Sequence, residues 1–214
     1  MNSRRTNPAP TILGQLADAA NLCTLAGLVS TVWGLAGALD GSLHQAAVGL
    51  MGSTVCDVAD GYIARATPKR AELTSRIGGA LDSLVDLAAG GILGAVCLLT
   101  LGEGSLFAVT VAMVTACALA GRLAYFTMVG LDGRYFVGVP VVVNQYLVAG
   151  LLLIVPLRHE PWGQYVLGMA MLAVAAANLS SWRVRKPGPR GMAGLAVFAV
   201  FIALGHIVQW QGAA

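Results

Sequence analysis

Apolar residues in this chain gather in long runs. Stretches with few polar interruptions cover 21–39, 43–65, 79–101, 105–129, 139–156, 162–182 and 192–210. A helix needs about 20 mostly apolar residues to cross a bilayer, so the pattern predicts seven candidate spanning helices. The 139–156 run is short and opens at Pro140, a residue suited to a first helical turn. The last run follows a breaker, Lys186-Pro187-Gly188-Pro189-Arg190. Residues 11–18 predict a short interfacial helix starting at Thr11. No internal repeat or low-complexity tract divides the chain. The expected fold is all-α, a polytopic membrane bundle over 21–210 behind an N-terminal cytoplasmic or interfacial segment, 1–20.

Composition agrees with a lipid solvent. The 214 residues are 57% hydrophobic and 11% charged, against roughly 25% charged in a soluble domain. A net charge of +3 gives little support to a nucleic-acid partner. The location of the basic residues matters more than their sum. With Arg4 and Arg5 placed in the cytoplasm, Arg65, Lys69, Arg70, Arg76, Arg134, Arg183, Arg185, Lys186 and Arg190 fall on the same side, and Arg158 stands alone opposite. Arg122 lies within the fourth run. Arg4 and Arg5 precede a stretch too polar for a signal-peptide core, so the N-terminus is expected to be retained. Cys23, Cys56, Cys97 and Cys117 sit in apolar stretches and form no C-x-x-C pair, which suits small buried hydrophobes. The three histidines suggest neither a triad nor a zinc site.

The chemistry gathers where the second run ends and the third begins. Asp57 and Asp60 are three residues apart, and Asp82 and Asp86 four apart, so each pair shares a helix face. The two helices are consecutive and antiparallel, which brings both pairs to one depth near the cytoplasmic side. A carboxylate inside a membrane costs about 2.5–3.5 kcal/mol on insertion scales, and four together repel one another. A hard divalent cation offsets both penalties, since Mg²⁺ and Mn²⁺ prefer oxygen ligands and bridge carboxylates to phosphates. Gly61 and Gly78 let a bulky group approach the backbone, and Arg65 is placed to contact a phosphate. The competing reading pairs the acids with Arg65, Arg76 and Arg122 as topological glue.

These residues resemble the CDP-alcohol phosphotransferase family, whose signature is D-x-x-D-G-x-x-A-R, a spacer, then G-x-x-x-D-x-x-x-D. Here it is Asp57, Asp60, Gly61, Ala64, Arg65, spacer, Gly78, Asp82, Asp86. The spacer, Ala66 to Ile77, is longer than the family's. The resemblance implies a core of six spanning helices, with an extra C-terminal helix here, and a homodimer. It implies a metal set of Asp57, Asp60, Asp82 and Asp86 for two Mg²⁺ or Mn²⁺ ions, with Asp86 the general base. It also implies a CDP pocket touching Asp57, Gly61, Ala64, Arg65 and Gly78. Asn21, Thr24 and Gly27 look like the family's N-x-x-T-x-x-G; Thr24 either helps hold the nucleotide or merely caps and packs. The implied reaction moves a phosphatidyl group from CDP-diacylglycerol to a small alcohol and releases CMP, with the active site on the cytoplasmic face of the cell membrane.

Later residues bear on the acceptor. Asp82-Ser83-Leu84-Val85-Asp86, Arg122-Leu123-Ala124-Tyr125-Phe126 and Phe136-Val137-Gly138-Val139-Pro140 resemble segments of phosphatidylserine synthases, as does a sixth span ending in Ser180, Ser181, Trp182 and Arg183. Tyr125 stands where that branch has a second Arg, and its F-G-x-A-P is absent after Asp86. Serine is the expected acceptor, with Arg122 holding its carboxylate; Arg122 is otherwise a snorkelling anchor or an acid's partner. Glycerol 3-phosphate, inositol phosphate and other alcohols remain open. An ion-coupled transporter is the reading from another class, and it predicts acids spread through the membrane depth.

Overall fold

The computed structural model describes residues 11–67 and 69–212. Thr11 caps α1 (Ile12–Leu16) and Asp18 caps α2 (Ala19–Leu39), each side chain accepting from amides of the first turn. Such caps satisfy donors that have no partner inside the helix. Ser42 and Ser105 do the same for α3 (Leu43–Ala66) and α6 (Leu106–Val129). Between these two, α4 (Glu72–Asp86) passes through a π-helical segment, Leu87–Leu93, into α5 (Gly94–Leu101) as one rod of 30 residues. The chain then forms β1 (Tyr135–Val137), α7 (Val142–Leu152), α8 (Val155–His159), α9 (Gly163–Asn178), β2 (Arg183–Arg185) and α10 (Pro189–Gly212).

Among the described residues, four helices are long and apolar enough to cross a membrane: α2, the α4–α5 rod, α6 and α10. Helix α3 matches them in length but carries Asp57, Asp60 and Arg65. Helices α7 and α9 are apolar and shorter, at 11 and 16 residues. The outer face of α10 exposes Val197, Phe198, Phe201, Leu204 and Val208, a surface that suits acyl chains and not water.

Several expected boundaries shift. The helix of the third apolar run, α4, begins at Glu72, so with Ala66 in α3 more than half of the spacer is helical. Pro140 precedes α7 and does not form its first turn. Helix α9 ends at Asn178, which leaves Ser180, Ser181 and Trp182 beyond it and Arg183 in a strand. The all-α expectation needs one correction, because β1 and β2 pair antiparallel with Phe136 opposite Val184. Backbone groups make that ladder, between segments distant in sequence, so an apolar count does not reveal it. Arg4 and Arg5 lie outside the described residues.

Small residues set the α2–α3 contact. A Cβ on Gly49 would stand 2.6 Å from Gly34 Cα, and one on Gly27 would stand 3.2 Å from Cys56 Cβ. Close backbone approach of this kind drives helix packing in lipid, where burial of apolar surface gives little net gain. It also fixes the register that brings Thr24 of α2 beside Asp60 of α3. Leu50, Met51, Leu93, Leu98, Leu152 and Leu167 fill the core between the helices.

Candidate active site

Asp57 and Asp60 lie one turn apart near the end of α3, and Asp82 faces them from α4. One carboxylate oxygen from each lies within 4.8 Å of the other two. Thr24 Oγ1 donates to Asp60 Oδ2 at 2.5 Å. Among the described residues the ion pairs are Arg70–Asp18 and Arg183–Asp132, and neither involves the four aspartates. Two of the basic residues that glue would require, Arg65 and Arg122, lie against aromatic rings and form no ion pair with the aspartates. Arg65 lies over the Tyr62 ring at 4.8 Å, and Arg122 lies over Phe126 at 5.0 Å and Phe136 at 5.7 Å. Three converging carboxylates without a cationic partner fit a hard divalent cation, whose ligands are oxygens.

Two of the cavities that Asp82 lines also hold the other aspartates. The smaller, about 210 Å³, is lined by Asn21, Thr24, Asp60, Ala64, Arg70 and Gly78 besides Asp82. The larger, about 290 Å³, is lined by Asp57, Asp82 and Asp86 together with Arg122, Phe136, Tyr146, Arg185 and Lys186. Ala64, Gly78 and Thr24, expected around the nucleotide, therefore share a cavity. Gly61 and Arg65 are outside the lining of both.

Asp86 is outside the trio of mutually close oxygens and lines the larger cavity with Asp57 and Asp82. Its Oδ1 accepts from Gln145 Nε2 at 3.3 Å. Gln145 Oε1 in turn accepts from Thr54 Oγ1. Both partners are buried, Gln145 on α7 and Thr54 on α3. Arg122 is 6% exposed, and its Nε and Nη2 have no hydrogen-bond partner. Lys186 Nζ approaches the far side of this group, 5.8 Å from the Phe136 ring centre.

The lengthened spacer has a structural use. Arg70 donates from Nε to Asp18 Oδ1 at 3.1 Å and from Nη2 to Asn21 Oδ1 at 2.7 Å. Thr74 Oγ1 donates to Gln15 Oε1 at 2.5 Å. These bonds tie α1 and the start of α2 to the start of α4, over the smaller cavity. A Cβ on Gly78 would stand 2.4 Å from Asn21 Oδ1 and 3.0 Å from Arg70 Nη2.

A family model described as CDP-alcohol phosphatidyltransferase matches residues 17–211. The chain belongs to this family. No curated protein gives a significant match to it. A CDP-alcohol phosphatidyltransferase moves a phosphatidyl group from CDP-diacylglycerol to an alcohol, and this one is an integral membrane protein. The aspartate trio fits the divalent metal of such phosphatidyltransferases. Sequence reasoning about the transferase gave no site role to Gln145, Thr54, Arg70 or Arg185. Gln145 had a legible signal, since an Asn-Gln pair inside an apolar run is costly in lipid and marks a function. Phe136 lay in the segment that bears on the acceptor, whereas Arg185 had no signal, because the β1–β2 pairing brings it to the cavity.

Proposed function

We propose that this phosphatidyltransferase uses a small alcohol bearing an anionic group, with L-serine as its first acceptor. The observation that carries the reading is Arg122, a buried guanidinium with two unpartnered nitrogens in the cavity that also holds Asp86. A buried donor without a partner is costly, and a carboxylate or phosphate is the matching acceptor group. A phosphorylated alcohol is the second reading, favoured by Arg185 and Lys186 on the same cavity wall.

Asp57, Asp60 and Asp82 would hold the divalent ions, Mg²⁺ or Mn²⁺, which offset charge on the pyrophosphate. Thr24, Ala64 and Gly78 border the nucleotide, with Gly61 and Arg65 close by on α3. Arg122 orients the acceptor so that its hydroxyl faces Asp86. Asp86 takes the hydroxyl proton as the oxygen bonds to the lipid-side phosphorus. The bond from that phosphorus to the bridging oxygen breaks, and CMP leaves. We further place the site at the cytoplasmic face, in a domain covering 21–210 behind the 1–20 segment. Helices α2, α3, α4–α5, α6, α7 and α9 form the six-helix family core, α10 is an addition, and two copies form a homodimer.

CMP release from CDP-diacylglycerol, measured with Mn²⁺ or Mg²⁺ over a panel of acceptors, tests the reading. Serine is expected to give the most. If serine gives no more than buffer while a phosphorylated alcohol does, the second reading replaces the first. Arg122→Met is expected to raise the KM of the acceptor about 10- to 100-fold, the value of a charge-assisted hydrogen bond, and to leave the donor's KM unchanged. Asp86→Asn is expected to abolish turnover while Mn²⁺ still binds; full turnover in that variant would remove Asp86 as the base.

A further inference from the structure

We propose that the end of the bundle opposite the aspartates holds a binding site for one anionic phospholipid, with Arg158 on its phosphate and His44 on a hydroxyl of its headgroup. The site is a cavity of about 500 Å³ lined by Ser42, His44, Arg158, His159 and Gln209. It lies where α3 begins, α8 ends and α10 finishes. None of these side chains lines either cavity of the aspartate end, and the inference does not depend on which alcohol the enzyme uses.

Arg158 is held by neutral groups. Its Nη1 donates to the Leu152 carbonyl and to Gln209 Oε1, and Gln209 Nε2 donates to the Leu153 carbonyl at 3.2 Å. These bonds fix the guanidinium without neutralising it, and among the described residues no carboxylate pairs with it. Its Nε and Nη2 have no partner among those residues and stay accessible. Two donors in a fixed fork match the oxygens of a phosphate. The basic residues of the loops otherwise gather toward the aspartate end, so topology gives no reason for a guanidinium here. Helix α3 begins at this cavity, and the positive end of its dipole also favours an anion.

The histidines set the second contact. His206 is fully buried, and its Nε2 lies 2.9 Å from the Ala149 carbonyl, which can only accept. Nε2 therefore carries the proton. With both rings neutral, His206 Nδ1 keeps its lone pair, and the 3.0 Å contact with His44 Nδ1 makes His44 the donor. The bond at one ring nitrogen thus decides what the other offers. His44 is left with a lone pair at Nε2. An acceptor beside Arg158 suits a hydroxylated headgroup such as glycerol, and choline offers it no donor. Depth favours a lipid over a free anion. Trp33 and Trp210 pair at 6.4 Å at this end, Trp162 caps α9 there, and all three are exposed. Exposed tryptophans mark the headgroup level of a membrane.

The test uses the full chain in detergent, with CDP-diacylglycerol at saturation so that the aspartate end is filled. The probes are short-chain phosphatidylglycerol, phosphatidylmethanol, phosphatidylcholine and inorganic phosphate, and native mass spectrometry reads the bound lipid and its Kd. Phosphatidylglycerol is expected to bind as a single copy per chain. Phosphatidylcholine brings a cation beside Arg158 and is expected to bind about tenfold more weakly or worse. Arg158→Gln is expected to weaken phosphatidylglycerol about 10- to 100-fold, the value of a charge-assisted hydrogen bond. Phosphatidylmethanol keeps the charge and lacks the hydroxyls, so its Kd is expected to be about two- to tenfold higher. His44→Asn, whose amide nitrogen replaces Nδ1 and leaves nothing at Nε2, is expected to remove that difference. Both variants are expected to release CMP at the wild-type rate, which shows that they fold. Equal affinity of the wild type for phosphatidylglycerol and phosphatidylcholine overturns the proposal without any variant. Wild-type phosphatidylglycerol affinity in Arg158→Gln overturns it as well. If inorganic phosphate displaces the lipid at equal concentration, the ligand is a free anion and the lipid assignment fails. Equal affinity for phosphatidylglycerol and phosphatidylmethanol removes the role of His44.

Discussion

Asp18 does two things with one carboxylate. It caps α2 through the amides of Ala20 and Asn21 and pairs with Arg70 at 2.8 Å. Burial pushes its pKa up, but Arg70 and the two amides outweigh burial and hold it below the ordinary 3.8. A carboxyl depressed in the folded state adds stability that is complete above its unfolded pKa and is lost as pH falls through the folded one. Asp18→Asn keeps the cap and discards the charge. Its melting temperature is expected to lie a few degrees below the parent's at pH 7, with the gap closing as the pH drops below the ordinary carboxyl value; a gap that persists in acid would assign the loss to geometry and not to the ion pair. Arg70 also shows how far single residues were legible. The spacer's extra length was visible in the sequence, but its partner Asp18 is 52 residues away, and nothing local links the two.

Helices α2 and α3 act together through their glycines. Gly49→Leu forces its side chain into the backbone of Gly34, a clash that no rotamer relieves, and overpacking of this kind costs roughly 1–3 kcal/mol. Prising the helices apart would also draw Thr24 from Asp60. The variant is therefore expected to lose turnover out of proportion to its fall in melting temperature, a comparison that thermal scans and CMP assays make directly. Among the described residues, four of the helices are long and apolar enough to span, and helix positions followed from the apolar runs. Helix ends did not. Glu72 starts α4 in a polar stretch, and the π-helical segment after Asp86 packs Gly90 against α7, a tertiary contact with no local signal. Three of the aspartates were legible for the opposite reason: spacing within two neighbouring helices brings Asp57, Asp60 and Asp82 together.

At the scale of the molecule, one end holds the aspartates, the sheet and most of the basic residues, while the other holds Arg158 and His159 beside His44. Helix α10 joins the two ends. Near its start, Tyr62 donates to the Pro189 carbonyl and Tyr146 donates to the Leu195 carbonyl. Near its finish, His206 Nδ1 meets His44 Nδ1 at 3.0 Å. In a chain stripped of its native cysteines, a thiol reagent that cannot cross membranes is expected to label Glu160→Cys on intact cells. Arg134→Cys is expected to react only after the membrane is opened, and the reverse pattern would invert the proposed orientation. The small sheet at the aspartate end has a wider consequence. Gly138, at φ 74°, is fixed by its approach to the end of α9, but the β1–β2 ladder is made by backbone groups that any non-proline residue supplies. Side chains on those strands can change without loss of the ladder, whereas the carboxylates beneath them cannot. Over evolutionary time such a chain could trade one acceptor for another by altering a handful of surface positions, and it would inherit the same donor chemistry each time.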